Sequence, residues 1–143
     1  MPDDIQETVE GEPNFKERQP KIFQMGFNKC STRTFNNFFE INGVKSVHHA
    51  GGALAKSIEK NMAAGLDLIG DFPEYTAFTD MEFVSDTGYI AAQRWFQTFH
   101  KWHPDAYFIL NTRNIKDWIS SRLRHGDGNF LRRFEELYGL SQD

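Results

Sequence analysis

Apolar and polar residues follow one another in short blocks along the chain, and the first two blocks predict a strand and then a helix. Residues 21–26 alternate apolar with polar side chains and end at a glycine, which is typical of a strand that runs into a turn. Phenylalanines then recur at spacings of three and four between residues 35 and 39, which places them on one helix face. We expect Thr32 or a neighbour to cap this helix and Asn42-Gly43 to end it.

The same order of strand and helix repeats in the next block. Residues 44–48 predict a second short strand. Leu54, Ile58 and Met62 then recur every four residues up to Gly65, which predicts an amphipathic helix. A chain that alternates strands and helices usually forms a parallel sheet, because each helix carries the chain back across the sheet. We therefore expect an α/β fold.

The second half of the chain has a less regular pattern. Residues 76–79 are compatible with a strand or a loop, and Ser85 or Asp86 is expected to cap a helix that ends before Pro104. The apolar run at 106–110 predicts a fully buried strand in the centre of the sheet. Two further helices are expected to carry apolar stripes, the first with Ile115, Ile119 and Leu123 and the second with Phe130, Phe134 and Leu137.

Composition limits the classes of protein that remain. A length of 143 residues is typical of one domain, and 16 basic against 20 acidic side chains give a net charge of -4. Such a balance does not favour general binding to nucleic acid, so an anion would have to be captured locally. Residues 1–19 hold six acidic and two basic side chains without an apolar period. We expect a mobile acidic arm there and a single α/β domain over residues 20–143.

The expected location is the cytoplasm. Cys30 is the only cysteine, so the chain has no internal disulfide and no multi-cysteine zinc site, which fits a reducing compartment. The longest uninterrupted apolar stretch is 106–110, and the amino terminus is acidic. Neither a membrane span nor a secretory signal is therefore predicted.

The segment between the first predicted strand and helix has the chemistry of an anion site. Backbone N–H groups and the helix dipole favour negative charge at such a position. Lys29 adds a positive charge, Thr32 and Thr34 add hydroxyl donors, and Arg33 adds a guanidinium group. The segment matches neither G-x-x-x-x-G-K-[ST] nor G-x-G-x-x-G, which argues against an ordinary NTPase or dinucleotide-binding loop. A polar turn in which a threonine caps the helix is the simpler alternative.

A second segment strengthens the case for an anion site. Arg113 follows the predicted strand at 106–110, and Ser121 comes eight residues later, about two turns into the next helix. Both side chains could address one phosphate from adjoining elements.

With these two segments the sequence resembles the sulfotransferase family. There, a strand-loop-helix motif K-x-G-T-[TR] binds the 5′-phosphosulfate of the donor PAPS, and an Arg followed after eight residues by a Ser binds its 3′-phosphate. The Lys-x-x-Thr-Arg form beginning at Lys29 looks more like the heparan-sulfate type. The matching segments nominate a set of donor-binding residues: Asn28, Lys29, Cys30, Ser31, Thr32, Arg33, Thr34, Arg113 and Ser121.

The resemblance also implies a fold and a reaction. The implied fold is a three-layer α/β/α, P-loop-like architecture with a mainly parallel sheet. The implied reaction is in-line displacement at sulfur by a hydroxyl or amine acceptor, with 3′,5′-ADP released, Lys29 at the leaving oxygen and no metal. The resemblance covers about residues 21–125 and lacks the family's usual carboxy-terminal third. Ser31 stands where the family usually has Gly, and Ile115 replaces a frequent Pro.

The acceptor also needs a base, and the sequence leaves the choice open. His48 and His49 follow the second predicted strand, about where some family members place a catalytic residue, and an imidazole titrates near neutral pH. Asp80 and Glu82 are the competing carboxylates. In the alternative interpretation, Asp80 and Glu82 have no catalytic role and lie on the polar side of an edge strand.

Two other functions compete with sulfuryl transfer, and other polar residues have ordinary explanations. The competing functions are a P-loop nucleotide kinase or NTPase and a non-catalytic nucleotide-binding or anion-binding remnant of the fold. The acceptor would be a small molecule or a glycan, and the chain could form a homo-oligomer to cover an apolar sheet edge.

We interpret His100 and His103 as ordinary helix residues. The basic patch of Arg122, Arg124, Arg132 and Arg133 is interpreted as a solvated helix face.

Overall fold

The computed structural model describes residues 19–85 and 87–140. The predicted acidic arm at 1–19 therefore lies, except for Gln19, outside the described residues. The helices and strands follow in the order β1 Ile22–Gln24, α1 Thr32–Ile41, β2 Ser46–His48, α2 Ala53–Ala64, β3 Ala77–Thr79, β4 Glu82–Ser85, β5 Gly88–Ala91, α3 Phe96–Trp102, β6 Tyr107–Ile109, α4 Ile115–Leu123 and α5 Asn129–Tyr138. Single 3₁₀ turns cover Ala50–Gly52 and Ala92–Trp95.

Four of the strands form one parallel sheet in the order β2-β3-β1-β6. The order places β3 and β1 in the middle, and their facing aromatic side chains Phe23 and Phe78 are fully buried with ring centroids 5.3 Å apart. Phe99 of α3 packs on Phe23 at 4.6 Å, and Leu54 and Ile58 of α2 join the same core. The expected α/β fold with a mainly parallel sheet is confirmed.

The position of β6 corrects the sequence prediction. The apolar run at 106–110 was expected to form the central, fully buried strand. Among the described strands, however, β6 pairs only with β1 and lies at the edge of the sheet. Tyr107 is 64% exposed and Leu110 is 74% exposed, while Phe108 packs against Phe23 at 5.5 Å. An apolar run shows that a strand is buried on at least one face, but it does not give the order of strands in the sheet.

The prediction of one helix from Ser85 or Asp86 to Pro104 is wrong in its first half. Ser85 ends β4, and β4 and β5 form an antiparallel hairpin in which Phe83 faces Ile90 and Val84 faces Tyr89. Asp86 lies outside the described residues. The helix α3 begins only at Phe96. Cross-strand pairing supplies the local stability here, and an apolar period read over the whole segment merges a strand with a helix.

No helix within the described ranges is both long enough and apolar enough to cross a membrane.

Candidate functional site

A cavity of about 920 Å³ opens where the strands of the parallel sheet end. The carboxyl ends of parallel strands lie at one edge of a sheet, so the segments that follow β1, β2, β3 and β6 meet there. These segments and the helices α4 and α5 supply the polar lining, which includes Asn28, Lys29, Ser31, Thr32, Arg33, His48, His49, Asp80, Glu82, Arg113, Ser121, His125, Asn129 and Arg133.

The loop between β1 and α1 turns sharply at the cavity. A Cβ on Gly26 would clash with the side chain and the carbonyl oxygen of Asn111, so only glycine permits this close approach. Lys29 and Ser31 have φ angles of 67° and 63°. These values lie in the left-handed region, which residues other than glycine rarely adopt. Ser31 is the residue before α1 and its side chain forms no capping hydrogen bond. The first N–H groups of α1 have no acceptor within the helix, so they remain available to an anion.

Three consecutive carbonyl groups of this loop are held by the segment that follows β6. Trp118 Nε1 donates to Asn28 O at 3.0 Å, and Arg113 Nη1 donates to Lys29 O at 3.2 Å. The Asn111 side-chain amide donates to Cys30 O. The two segments singled out in the sequence therefore lie side by side.

Most of the residues nominated for donor binding line the cavity, and two do not. Asn28, Lys29, Ser31, Thr32, Arg33, Arg113 and Ser121 belong to the lining. Cys30 is 8% exposed, and burial raises the pKa of its thiol above the usual value. Thr34 is exposed on α1. Cys30 and Thr34 are not among the lining residues.

The four candidate bases, His48, His49, Asp80 and Glu82, also line the cavity, in different environments. Burial raises the pKa of Asp80 to about 7; the Glu82 carboxylate adds to the rise, while Arg122, Arg33 and Lys29 oppose it. Burial lowers the pKa of His48 to about 4, helped by His49 and Arg33. His48 Nδ1 is hydrogen-bonded to Thr79 Oγ1 at 2.9 Å, and its Nε2 lies 3.7 Å from Asp80 Oδ2. Burial lowers the pKa of His49 as well.

Two residues differ from their sequence interpretation. Glu82 is 2% exposed, so it is not on the polar side of an edge strand. The Arg122 guanidinium lies 3.3 Å from both Glu82 carboxylate oxygens, and its side chain is only 11% exposed, so it is not part of a solvated helix face. No local pattern identifies this pair, because its members are far apart along the chain.

Sequence reasoning also missed part of the cavity lining. His125 and Asn129 lie on the α4–α5 connection and at the start of α5, and they were not singled out from the sequence. Phe130, which also lines the cavity, was expected only in the apolar stripe of the last helix. Burial lowers the pKa of His125, and the cations Lys29 and Arg122 contribute. The flexible glycines that flank Asp127 could have indicated a turn, but no sequence signal places that turn at the cavity.

The two histidines of α3 and its end do not belong to this site. His103 Nε2 lies 2.9 Å from Asp67 Oδ1, and His103 is buried. His100 is exposed and contacts the Phe108 ring at 6.2 Å. Within residues 19–85 and 87–140 no group of three or more His, Cys, Asp or Glu side chains is arranged to hold a metal ion.

Comparison of the sequence with protein families identifies the family of this chain. The sequence profile of a family described as "Sulfotransferase domain" matches residues 21–134 of the 143-residue chain. The chain belongs to the sulfotransferase family. No curated protein matches it. The sulfotransferase match runs from β1 into α5, so it includes both cavity segments and supports a general role in sulfuryl transfer.

Proposed function

We propose that this sulfotransferase transfers a sulfuryl group from PAPS to a hydroxyl or amine acceptor and releases 3′,5′-ADP. The supporting observation is the meeting of two distant segments at one cavity, with Arg113 Nη1 3.2 Å from Lys29 O. Lys29, Arg33, Arg113 and Arg133 place four cationic side chains around the cavity. A cavity of about 920 Å³ is within the usual size range for small-molecule and cofactor sites.

The residues of the cavity suit a donor that carries a phosphosulfate on the 5′ position of its ribose and a phosphate on the 3′ position. The first turn of α1 and the side chains of Lys29, Thr32 and Arg33 would bind the 5′-phosphosulfate. Arg113 and Ser121 would bind the 3′-phosphate. With both ends fixed, the sulfur would face the carboxyl ends of β2 and β3, where His48 and Asp80 lie.

Asp80 is the base that this proposal favours. The acceptor oxygen or nitrogen forms a new bond to sulfur while the bond from sulfur to the 5′-phosphate oxygen breaks. Lys29 stabilises the negative charge that develops on this oxygen. Asp80 accepts the acceptor's proton, because its carboxyl pKa of about 7 suits proton transfer near neutral pH. His48, with a pKa of about 4, is the weaker base.

The proposal is tested by calorimetry with 3′,5′-ADP. The wild-type chain should bind this nucleotide, and Lys29→Ala and Arg113→Ala should each weaken binding by at least about tenfold, because each removes a charged contact to phosphate. Lys101→Ala is the matched control, since Lys101 is exposed on α3 and does not line the cavity. Absence of binding by the wild-type chain would refute the proposal.

Turnover then separates an enzyme from a non-catalytic nucleotide-binding protein. With PAPS and a panel of sugar and small alcohol or amine acceptors, the wild-type chain should release 3′,5′-ADP. Lys29→Ala should lower the rate about 100-fold to 1000-fold, as expected for loss of one group that stabilises charge in the transition state. Binding of 3′,5′-ADP without turnover on any acceptor would support the non-catalytic alternative.

A further inference from the structure

Asn28, the residue before Lys29, is held from outside its own loop. Its backbone N–H donates to Glu82 Oε2 at 2.6 Å, and its carbonyl accepts from Trp118 Nε1 at 3.0 Å. Its side-chain Oδ1 accepts from Arg122 Nη1 at 2.8 Å. These partners come from β4 and α4, so elements distant in sequence fix the backbone from which the Lys29 side chain extends.

Glu82 is the centre of this arrangement. Its carboxylate accepts hydrogen bonds from Asn28 N–H, from the Tyr89 hydroxyl and from Arg122, although the residue is only 2% exposed. Burial, together with the charge of Glu82 and the hydrogen bond to it, raises the pKa of Tyr89, so the hydroxyl remains a neutral donor. Burying a carboxylate is costly unless it is paired and hydrogen-bonded, and here these partners offset that cost.

Arg122 connects Glu82 to the helix that carries Ser121. Its guanidinium lies over the Phe130 ring at 4.4 Å and over the Trp118 ring at 4.9 Å. A planar guanidinium can stack on aromatic rings and donate hydrogen bonds at the same time. The position of α4 is therefore linked through Arg122 to both Glu82 and Asn28.

We infer that the buried pair of Glu82 and Arg122 is a positioning device that aims Lys29 and links the Lys29 half of the cavity to the Ser121 half. The inference rests on the proposed function, because that proposal supplies the nucleotide, PAPS or 3′,5′-ADP, that both halves of the cavity would bind. Glu82 and Arg122 are positioning residues because they act through Asn28 and Lys29.

The first test is a double-mutant cycle on the binding of 3′,5′-ADP. Glu82→Gln keeps the size of the side chain but removes the charge that pairs with Arg122, so affinity should fall about tenfold or more. In the Lys29→Ala background the same substitution should change affinity by less than about threefold, because the group that it positions is gone. An equal loss in both backgrounds would show that Glu82 does not act through Lys29, and would overturn the inference.

The second test needs no nucleotide and uses Cys30, the only cysteine of the chain. Cys30 lies two residues after Asn28 and is 8% exposed, so alkylation by iodoacetamide requires the loop to move. Glu82→Gln should accelerate alkylation of the Cys30 thiolate about tenfold, the factor that corresponds to loss of one hydrogen bond to a charged group. Rates are compared per thiolate, from the pH dependence of labelling, because the Glu82 charge also raises the pKa of Cys30. The unfolding free energy of each variant gives the share of labelling that passes through global unfolding.

Asp67→Asn is the matched control for the labelling test. It removes the negative charge that faces His103 at 2.9 Å, at a contact outside the cavity lining, and it should leave loop labelling unchanged once global unfolding is subtracted. If Glu82→Gln does not fold, Asn28→Ala removes the side-chain contact to Arg122 but keeps the backbone N–H donated to Glu82, and it should accelerate the labelling of Cys30 by a smaller factor.

The outcomes of the two tests are separable. If the wild-type chain does not bind 3′,5′-ADP, the proposed function fails, and labelling of Cys30 alone decides whether Glu82 holds the loop. If the wild-type chain binds, a Glu82→Gln variant with unchanged affinity and unchanged labelling would contradict the inference.

Discussion

At the residue scale, Asp80 is buried enough to hold a proton near neutral pH and open enough to reach the cavity. Its side chain is 15% exposed, and its Oδ1 has no hydrogen-bond partner among the described residues. The sequence correctly predicted a strand next to the His48-His49 pair, although His48 is the last residue of β2 and only His49 follows it. The sequence did not distinguish the pKa values of the candidate bases. Those values depend on burial and on charges such as Glu82 and Arg33, which only the folded chain brings together.

The dependence of rate on pH distinguishes Asp80 from His48 as the base. If Asp80 is the base, the rate should rise about tenfold per pH unit below pH 7 and level off above it, because only the carboxylate accepts a proton. Asp80→Asn should lower the rate by about 100-fold or more and remove this rise. Initial rates with PAPS from pH 5 to 9 provide the measurement. A wild-type rate that stays flat from pH 5 to 8, together with a loss of activity in His48→Ala, would assign the role to His48.

The same carboxyl predicts a dependence of stability on pH. Because the folded-state pKa of Asp80 is raised from 3.8 to about 7, the unfolded chain loses this proton first, and the contribution to stability falls as pH rises between about 4 and 7. Asp80→Asn lacks this loss, so it should be about 1–4 kcal/mol more stable than wild type at pH 8, and the difference should shrink towards pH 4. Urea unfolding of both proteins at pH 4, 6 and 8 measures it. A constant difference across this range would show that Asp80 titrates normally.

At the element scale, the junction of β1 and α1 shows what local pattern can and cannot predict. The strand, the loop and the helix were predicted correctly, because alternation and helical spacing are local properties. The same local signals merged β5 with α3, and they did not show that β6 is an edge strand, since strand order depends on contacts between distant residues. The backbone at Ser31 was likewise not predictable, although the resemblance did mark this position as one where the family usually has Gly.

Replacement of Ser31 should stabilise this junction. The φ of 63° at Ser31 is unfavourable for any side chain with a Cβ, and the hydroxyl makes no capping bond that would offset the strain. Ser31→Gly should therefore raise the free energy of unfolding by about 1 kcal/mol relative to Ser31→Ala, which keeps the Cβ. Urea denaturation of both variants measures the difference. A Ser31→Gly variant less stable than Ser31→Ala would mean that the strain at this residue is negligible.

At the scale of the whole molecule, the candidate site depends on a contact between residues 84 positions apart, Lys29 and Arg113. Each segment was recognised in the sequence from its own chemistry, and the resemblance to the family paired them. The net charge of -4 gave no indication of the cations around the cavity, because a total charge carries no information on position. The pair of Glu82 and Arg122 was missed because its members are 40 positions apart along the chain and only the fold brings them together. The expected homo-oligomer stays a prediction.

The most direct measurement of the central claim is a crystal structure of the chain with 3′,5′-ADP. The account predicts one nucleotide in the cavity, with its 5′-phosphate on Lys29 and the first turn of α1 and its 3′-phosphate on Arg113 and Ser121. A nucleotide that contacts only one of the two segments, or that binds elsewhere on the molecule, would contradict the account.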